Sequence, residues 1–389
     1  MKMKKILLFL LAALVLLPLC ACSDKETATV LGTTGTAVTT TTQEVTADTD
    51  PMETAELTTA TTTEYSPYGM NPFTGIKDMD LENVGKRSVS VVINNTIEAL
   101  PQRGVTKADA IYEYETEGGQ TRLLALYADV NTIPEVGSLR SARIIACDLS
   151  DGTNSIFVHY GKNARVPDRI AEIKLDHLDG NNMSAQSGQS VDGKIDLPKN
   201  IYFWRDNAWK SKRATEHTAV TNGTYILKAI QEKNISWEGE TPMLFPFDAA
   251  TTALANGETC NSINVFFSNT NDDSLFTYVP ETGLYLKSQY TGKPQIDETT
   301  GEQIAVKNVV VLYANIVPHG DTTIDAYLTD GGTGYYVAEG KLIPIKWSKA
   351  GSDAPIVLKD NSGTEISVLP GKCYINIVRK TVSEKTTWK

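Results

Sequence analysis

DAIYEYETEGGQTRLLALYAD, residues 109–129, alternates two kinds of side chain over most of its length and is interrupted once, at Gly118-Gly119. Alternation puts successive side chains on opposite faces of a strand, and a glycine pair between two such runs reads as a hairpin turn. Glu113, Glu115 and Glu117 then share one face of the first arm, with Tyr112, Tyr114 and Thr116 on the other. Three carboxylates in line repel one another and need solvent or cations. Arg122 returns on the second arm, and Arg140 and Arg143 follow within EVGSLRSARIIACDLS, residues 135–150. Read as the first turn of a helix, the two arginines are costly. Like charges at i,i+3 oppose each other by about 0.2–0.5 kcal/mol, and a cation at a helix N-terminus opposes the dipole by about 0.3–1 kcal/mol. The pattern therefore predicts a Glu–Arg cluster, with Arg140 and Arg143 turned toward the strand end that carries Glu113 and Glu117. Arg122 and Arg140 are expected in structural pairs, leaving Arg143 to a carboxylate or phosphate. The alternative is a set of separate, solvated pairs worth about 0–1 kcal/mol each.

Outward from this hairpin, SVSVVINN (88–95) and SIFVHYG (155–161) read as strands, and SARIIACDLS (141–150) and TYILKAIQEK (224–233) have helical apolar spacing. Past residue 236 the pattern becomes short β-rich runs separated by turn signals: TTGEQIAVKNVVVLYAN (299–315), GTGYYVAEGKLIPIKW (332–347) and KDNSGTEISVLPGKCYINIV (359–378). The expected fold class is α+β. A mixed α/β layered domain over 66–235 precedes a smaller all-β domain over 236–389, the latter a small sandwich or open barrel. The boundary is placed between Lys228 and Glu240.

The chain begins MKMKKILLFLLAALVLLPLCAC, three lysines before an unbroken apolar stretch from Ile6 to Leu19. This reads as an export signal over 1–21 and not as a membrane span. Leu19-Cys20-Ala21-Cys22 is similar to a bacterial lipobox, which makes Cys22 the expected lipidation site and the membrane an expected partner. Residues 23–65 hold 17 threonines, eight acids and one lysine, and few large apolar side chains. Such a segment cannot bury enough to order itself, so 22–65 is expected to be a stalk. The whole chain carries a net charge of −11, which excludes nucleic acid as an expected partner. After the lipobox only Cys147, Cys260 and Cys373 remain, an odd number that suits buried structural thiols. His159, His177, His217 and His319 are scattered, and no metal-ligand spacing or cofactor motif is present, so neither a metal nor a cofactor is expected.

Five pieces in order, PQRGVTKADAIYEYETEGGQTR, VGSLRSAR, IFVHYG, FWRD and GKPQIDETTGEQIAVKNVVVLY, resemble the YerB-like family of bacterial lipoproteins, over nearly all of 71–378. The resemblance implies a two-domain extracytoplasmic protein and marks Glu113, Glu117, Gly118, Gly119, Thr121, Arg122, Arg140, Ser141, Arg143, His159, Arg205 and His217. The family pattern around the last of these is Pro-His-Asn, whereas this chain has Glu216-His217-Thr218.

Three functions are consistent with this reading. The first is a non-catalytic binding module for an anionic cell-envelope ligand such as a wall polymer, with Glu113, Glu117, Arg122, Arg140, Ser141, Arg143, His159, Arg205 and His217 as candidate ligand-binding residues. IYFWRDNAWKSKRATEH (201–217) adds Trp204 and Trp209 among cations, a composition that suits stacking on sugar rings. The second is an envelope hydrolase or phosphoryl-handling enzyme using Ser141, His159 and the arginines, although no G-x-S-x-G, H-E-x-x-H or phosphate loop occurs. The third is a scaffold or regulator that contacts another envelope protein through an exposed strand edge.

Overall fold

A computed structural model describes residues 67–184, 200–270 and 273–389. The expected export signal, Cys22 and the threonine-rich segment lie outside the described residues. The principal elements, in chain order, are β1 (Val89–Asn94), β2 (Ala110–Glu115), β3 (Thr121–Tyr127), α1 (Ile144–Asp151), β4 (Ile156–His159), α2 (Val166–Ile173), β5 (His177–Asp179), α3 (Asn207–Lys210) and α4 (Gly223–Glu232). They continue with β6 (Ser262–Phe266), β7 (Asp273–Val279), β8 (Leu284–Gln289), β9 (Asn308–Pro318), β10 (Gly332–Ala338), β11 (Lys341–Lys349) and β12 (Cys373–Arg379).

The opening hairpin is the middle of the molecule. Its turn is a 3-10 segment, Glu117–Gly119, in which Gly118 and Gly119 both have left-handed backbones, φ 71° and 72°. Two such residues in succession favour glycine, which has no Cβ to clash. The arms pair antiparallel from Ala110↔Leu126 to Glu115↔Thr121. Every residue of both strands is buried, so the sheet is covered on both faces. Ile111, Leu123, Ala125 and Tyr127 face one core, and Tyr112, Tyr114, Leu124 and Leu126 face the other. The first core is closed by α4 and the second sheet, the other by α1 and α2. Full burial of each large apolar side chain contributes about 1.5–3 kcal/mol.

Both halves of the chain build this sheet, whose order is β11-β10-β9-β12-β2-β3-β1-β4-β5 with short strands at its margins. The last long strand, β12, lies between β9 and β2, parallel to both, from Cys373↔Ala110 to Ile377↔Tyr114. A second, antiparallel sheet of six strands contains β6, β7 and β8. The C-terminal half therefore does not close on itself as a sandwich or barrel. Its strands divide between a sheet of their own and one shared with the N-terminal half. Their apolar faces need a covered surface, and β2 supplies one.

At the other end of the long sheet β1, β4 and β5 run parallel, β1 pairing with β4 and β4 with β5. Their carboxyl ends open onto the loops that form the candidate site. Cys147, Cys260 and Cys373 are buried and unpaired. No described helix is long and apolar enough to cross a membrane.

Candidate functional site

The helix start differs from the expectation. Arg143 is the N-cap residue of α1, with extended backbone (φ −133°, ψ 156°), and Arg140 precedes the helix altogether. The Arg140 N–H donates to Val92 O on β1 at 3.0 Å, and its carbonyl accepts from Tyr160 N at 3.0 Å. Arg140 is therefore sheet-like and avoids the unfavourable dipole position, which Arg143 alone occupies.

The arginines have different partners. Arg143 Nε reaches both oxygens of Glu117 at 2.7 Å, and Nη1 donates to Ala142 O at 2.9 Å. Arg122 is buried, donates to Ser141 O, and has no carboxylate within ion-pair distance among the described residues. Burial, reinforced by the Arg143 charge, pushes its guanidinium down to about 9. The expected allotment is thus reversed: Arg143 is engaged, and Arg140 is the residue left open. Glu113 belongs to neither. It points into the opposite core, where Asn95, Thr121, Ser274 and Tyr374 donate to it at 2.8–2.9 Å and Lys287 Nζ lies at 3.5 Å. Both Glu113 and Lys287 are fully buried. Strand parity assigned Glu113 its face correctly, but Glu117 lies beyond the strand end, where that parity no longer holds. Glu115 shares Glu113's face and pairs with Arg379, 2.6 Å from its Nη2.

A cleft of about 490 Å³ lies beside the carboxyl ends of β4 and β5. It is lined by Arg140 and Ser141 before α1, Tyr160 to Ala164 after β4, Pro167, Asn181 after β5, and Arg205 and Glu216. Clefts outside the carboxyl ends of parallel strands are common ligand sites, because loops diverge there and leave a crevice. Arg140 and Arg205 are anchored side by side, each by one Nη1 nitrogen: Arg140 to Glu216 O at 3.4 Å and Arg205 to Thr215 O. Arg205 also lies 4.3 Å over the Tyr160 ring. Neither has an ion-pair partner among the described residues. Burial, then the neighbouring Arg143 and Arg205 charges, hold the Arg140 guanidinium below its ordinary value despite the opposing Glu216 charge.

The floor is rigid. Asp179 accepts from Gly161 N at 2.9 Å, from Asn181 N at 3.0 Å and from Lys162 Nζ at 2.5 Å. Burial would raise its carboxyl, but Lys162, His159 and those amides together hold it below the usual range. His159 is buried beneath, with Nδ1 2.8 Å from Gly161 O and Nε2 3.0 Å from His177 Nδ1. Both ring nitrogens are committed, so His159 is not poised to take a proton from Ser141. Burial pushes His159 down to about 4. His217 is also buried, its Nδ1 2.8 Å from Asn94 Nδ2 behind the turn that carries Glu216.

Of the candidate residues, Arg140, Ser141 and Arg205 line the cleft. Glu117, Arg122, Arg143, His159 and His217 sit behind or beside it, and Glu113 is remote from it. Sequence reading missed Lys162, Asn163 and Asn181. Asn163 carried a legible signal as a turn former ahead of Val166-Pro167: its Oδ1 accepts from Arg165 N and Val166 N in an Asx turn, while Arg165 is the N-cap of α2. Trp204 and Trp209 are unavailable for stacking on sugars because both are buried. Trp209 is sandwiched between Arg103 and Arg213, each 4.1 Å from its ring. No group of three or more His, Cys, Asp or Glu among the described residues could hold a metal ion.

Comparison with known proteins locates this arrangement. Residues 73–236 match the family model "Protein of unknown function (DUF3048) N-terminal domain", and residues 263–375 match the corresponding C-terminal domain. The Bacillus subtilis (strain 168) protein "Putative lipoprotein YerB" is 32% identical over 315 residues, 79% of this chain and 85% of that one. The chain belongs to the DUF3048 family. The crystal structure of YerB protein from Bacillus subtilis superposes with a TM-score of 0.68 at 28% identity, covering 82% of this chain and 98% of that chain. In this DUF3048 member every cleft residue falls within the N-terminal match, whereas Glu113 and Lys287 lie in different matches.

Proposed function

We propose that this DUF3048 protein is an extracytoplasmic lipoprotein whose N-terminal half binds an anionic ligand of the cell envelope in the cleft between β4, β5 and the segment that carries Arg140. The observation that carries the reading is the pair Arg140 and Arg205: two guanidiniums lining one cleft, each anchored by a carbonyl and neither neutralised by a carboxylate among the described residues. Guanidinium forks suit carboxylate and phosphate oxygens, and Arg122 behind Ser141 adds to the local positive field. The tether is supported by the lipobox-like sequence that ends at Cys22 and by similarity to a protein named as a lipoprotein. A diacylglyceryl group on Cys22 would hold the protein at the outer face of the membrane, since each buried CH₂ contributes about 0.8 kcal/mol.

Two experiments test this. Fractionation of the Cys22→Ser variant is expected to find it released or unprocessed; a variant that remains acylated and membrane-bound refutes the tether. Binding of anionic wall fragments is expected to be lost in Arg140→Ala and Arg205→Ala while thermal unfolding stays near wild type. Unchanged binding in both variants refutes the site.

A further inference from the structure

The cleft's charges differ from one part to another, and this constrains its ligand beyond "anionic", on the reading just given. Arg140 and Arg205 supply two positive charges without an ion-pair partner. Lys162 is bound to Asp179 at 2.5 Å and contributes little net charge. Glu216, whose side chain is 51% exposed, also lines the cleft, and its carboxyl is held below the usual range by a hydrogen bond from its own backbone N–H and by His217, Arg140 and Arg205. A second anionic group placed near Glu216 would be repelled, whereas a hydroxyl could donate to it. Asn163 and Asn181 bring neutral amides to the same cleft, and the Ser141 hydroxyl makes no hydrogen bond among the described residues.

We infer that the ligand is a phosphate monoester of a polyol or sugar, with the phosphate at Arg140, Arg205 and Ser141 and the hydroxylated body toward Asn163, Asn181 and Glu216. Acceptor number favours phosphate over carboxylate. A phosphate monoester carries three terminal acceptor oxygens, enough to engage both guanidiniums and the Ser141 hydroxyl together, where one carboxylate has two. Volume favours an ester over free phosphate, because about 490 Å³ is the size of a cleft that encloses an organic ligand. The polar lining disfavours an acyl chain.

The test is calorimetric titration of the mature chain from residue 22, carrying Cys22→Ser, with glycerol 3-phosphate, glucose 6-phosphate, inorganic phosphate, glycerol and glutarate. Both phosphate esters are expected to bind more tightly than inorganic phosphate, with glycerol and glutarate weaker still. Arg140→Ala and Arg205→Ala are each expected to weaken the esters by about ten- to a hundredfold, the loss that charge-assisted hydrogen bonds imply. Glu216→Ala is expected to narrow the gap between ester and inorganic phosphate. Arg140→Lys and Arg205→Lys, with thermal unfolding of every variant, separate loss of the site from loss of the fold. Equal binding of glutarate overturns the phosphate assignment while leaving an anion site standing. Ester binding that ignores both arginines overturns the location, and binding of none of these anions overturns the ligand class and counts against the anion-site reading as well.

Discussion

Arginines 140 and 143 lie three residues apart and differ in what they touch, so they should differ in what they do. Arg143→Ala removes a partly buried two-oxygen contact with Glu117 and is expected to destabilise the fold by about 1–3 kcal/mol in urea unfolding, with ligand binding retained once the chain is folded. Arg140→Ala removes a cation that burial already disfavours, so its unfolding is expected to shift by less than about 0.5 kcal/mol. His159 makes a pH-dependent contribution. Buried beside His177, Asp179 and Lys162, it is pushed down to about 4, so the folded state binds fewer protons than the unfolded state between about pH 6.5 and 4. Stability is therefore fully present above about 6.5 and falls as pH drops through that window, by about 3 kcal/mol from this residue. Urea unfolding at pH 7, 5.5 and 4.5 should show that slope, flattened in His159→Gln. An equal slope in the variant would assign it to other groups, among them His177 and His217, which burial also lowers.

At the scale of elements, the parallel strands β1, β4 and β5 determine where the cleft lies, and α2 determines its wall. Asn163 both lines the cleft and accepts from the first N–H groups ahead of α2. Asn163→Ala is expected to lower stability by about 1 kcal/mol through the two hydrogen bonds lost from the turn that leads into α2, and to weaken ligand binding at the same time. A thermal unfolding shift without any change in binding would show that the turn alone matters. The strands themselves were legible in sequence because period-two alternation and glycine turns are local signals. SVSVVINN became Val89–Asn94 and the 109–129 hairpin became β2 and β3. The sequence pattern places the start of α1 three to four residues early, because the apolar spacing of IIACDLS continues backwards through Ala142 and the N-cap, Arg143, is not a residue that marks a helix start.

At the scale of the whole molecule, one buried pair ties the two family matches together. Glu113→Ala or Lys287→Met alone leaves a charge stranded in the core and is expected to cost about 3–5 kcal/mol, while Glu113→Gln with Lys287→Met, which removes both charges and keeps an acceptor for the surrounding donors, should recover much of that. A double-mutant cycle in urea measures the coupling, and additive losses would mean that the pair does not act as a unit. The shared sheet has the same consequence on a larger scale. A fragment covering 66–235 lacks β12, so β2 becomes an open edge, and circular dichroism with size-exclusion chromatography is expected to find it unfolded or aggregated. By itself, the sequence determined the α+β class, the run of strands and helices, the glycine turn at 118–119 and the motif at Cys22, since each depends on neighbours within a few residues. Only the tertiary structure decided that β12 enters between β9 and β2, that Glu113 meets Lys287 and that Arg143 is engaged while Arg140 is open. Strand periodicity tells which way a side chain points, but what it meets there comes from chain well beyond its local neighbours, 26 residues away for Arg143 and Glu117, and the sequence pattern carries no record of that pairing.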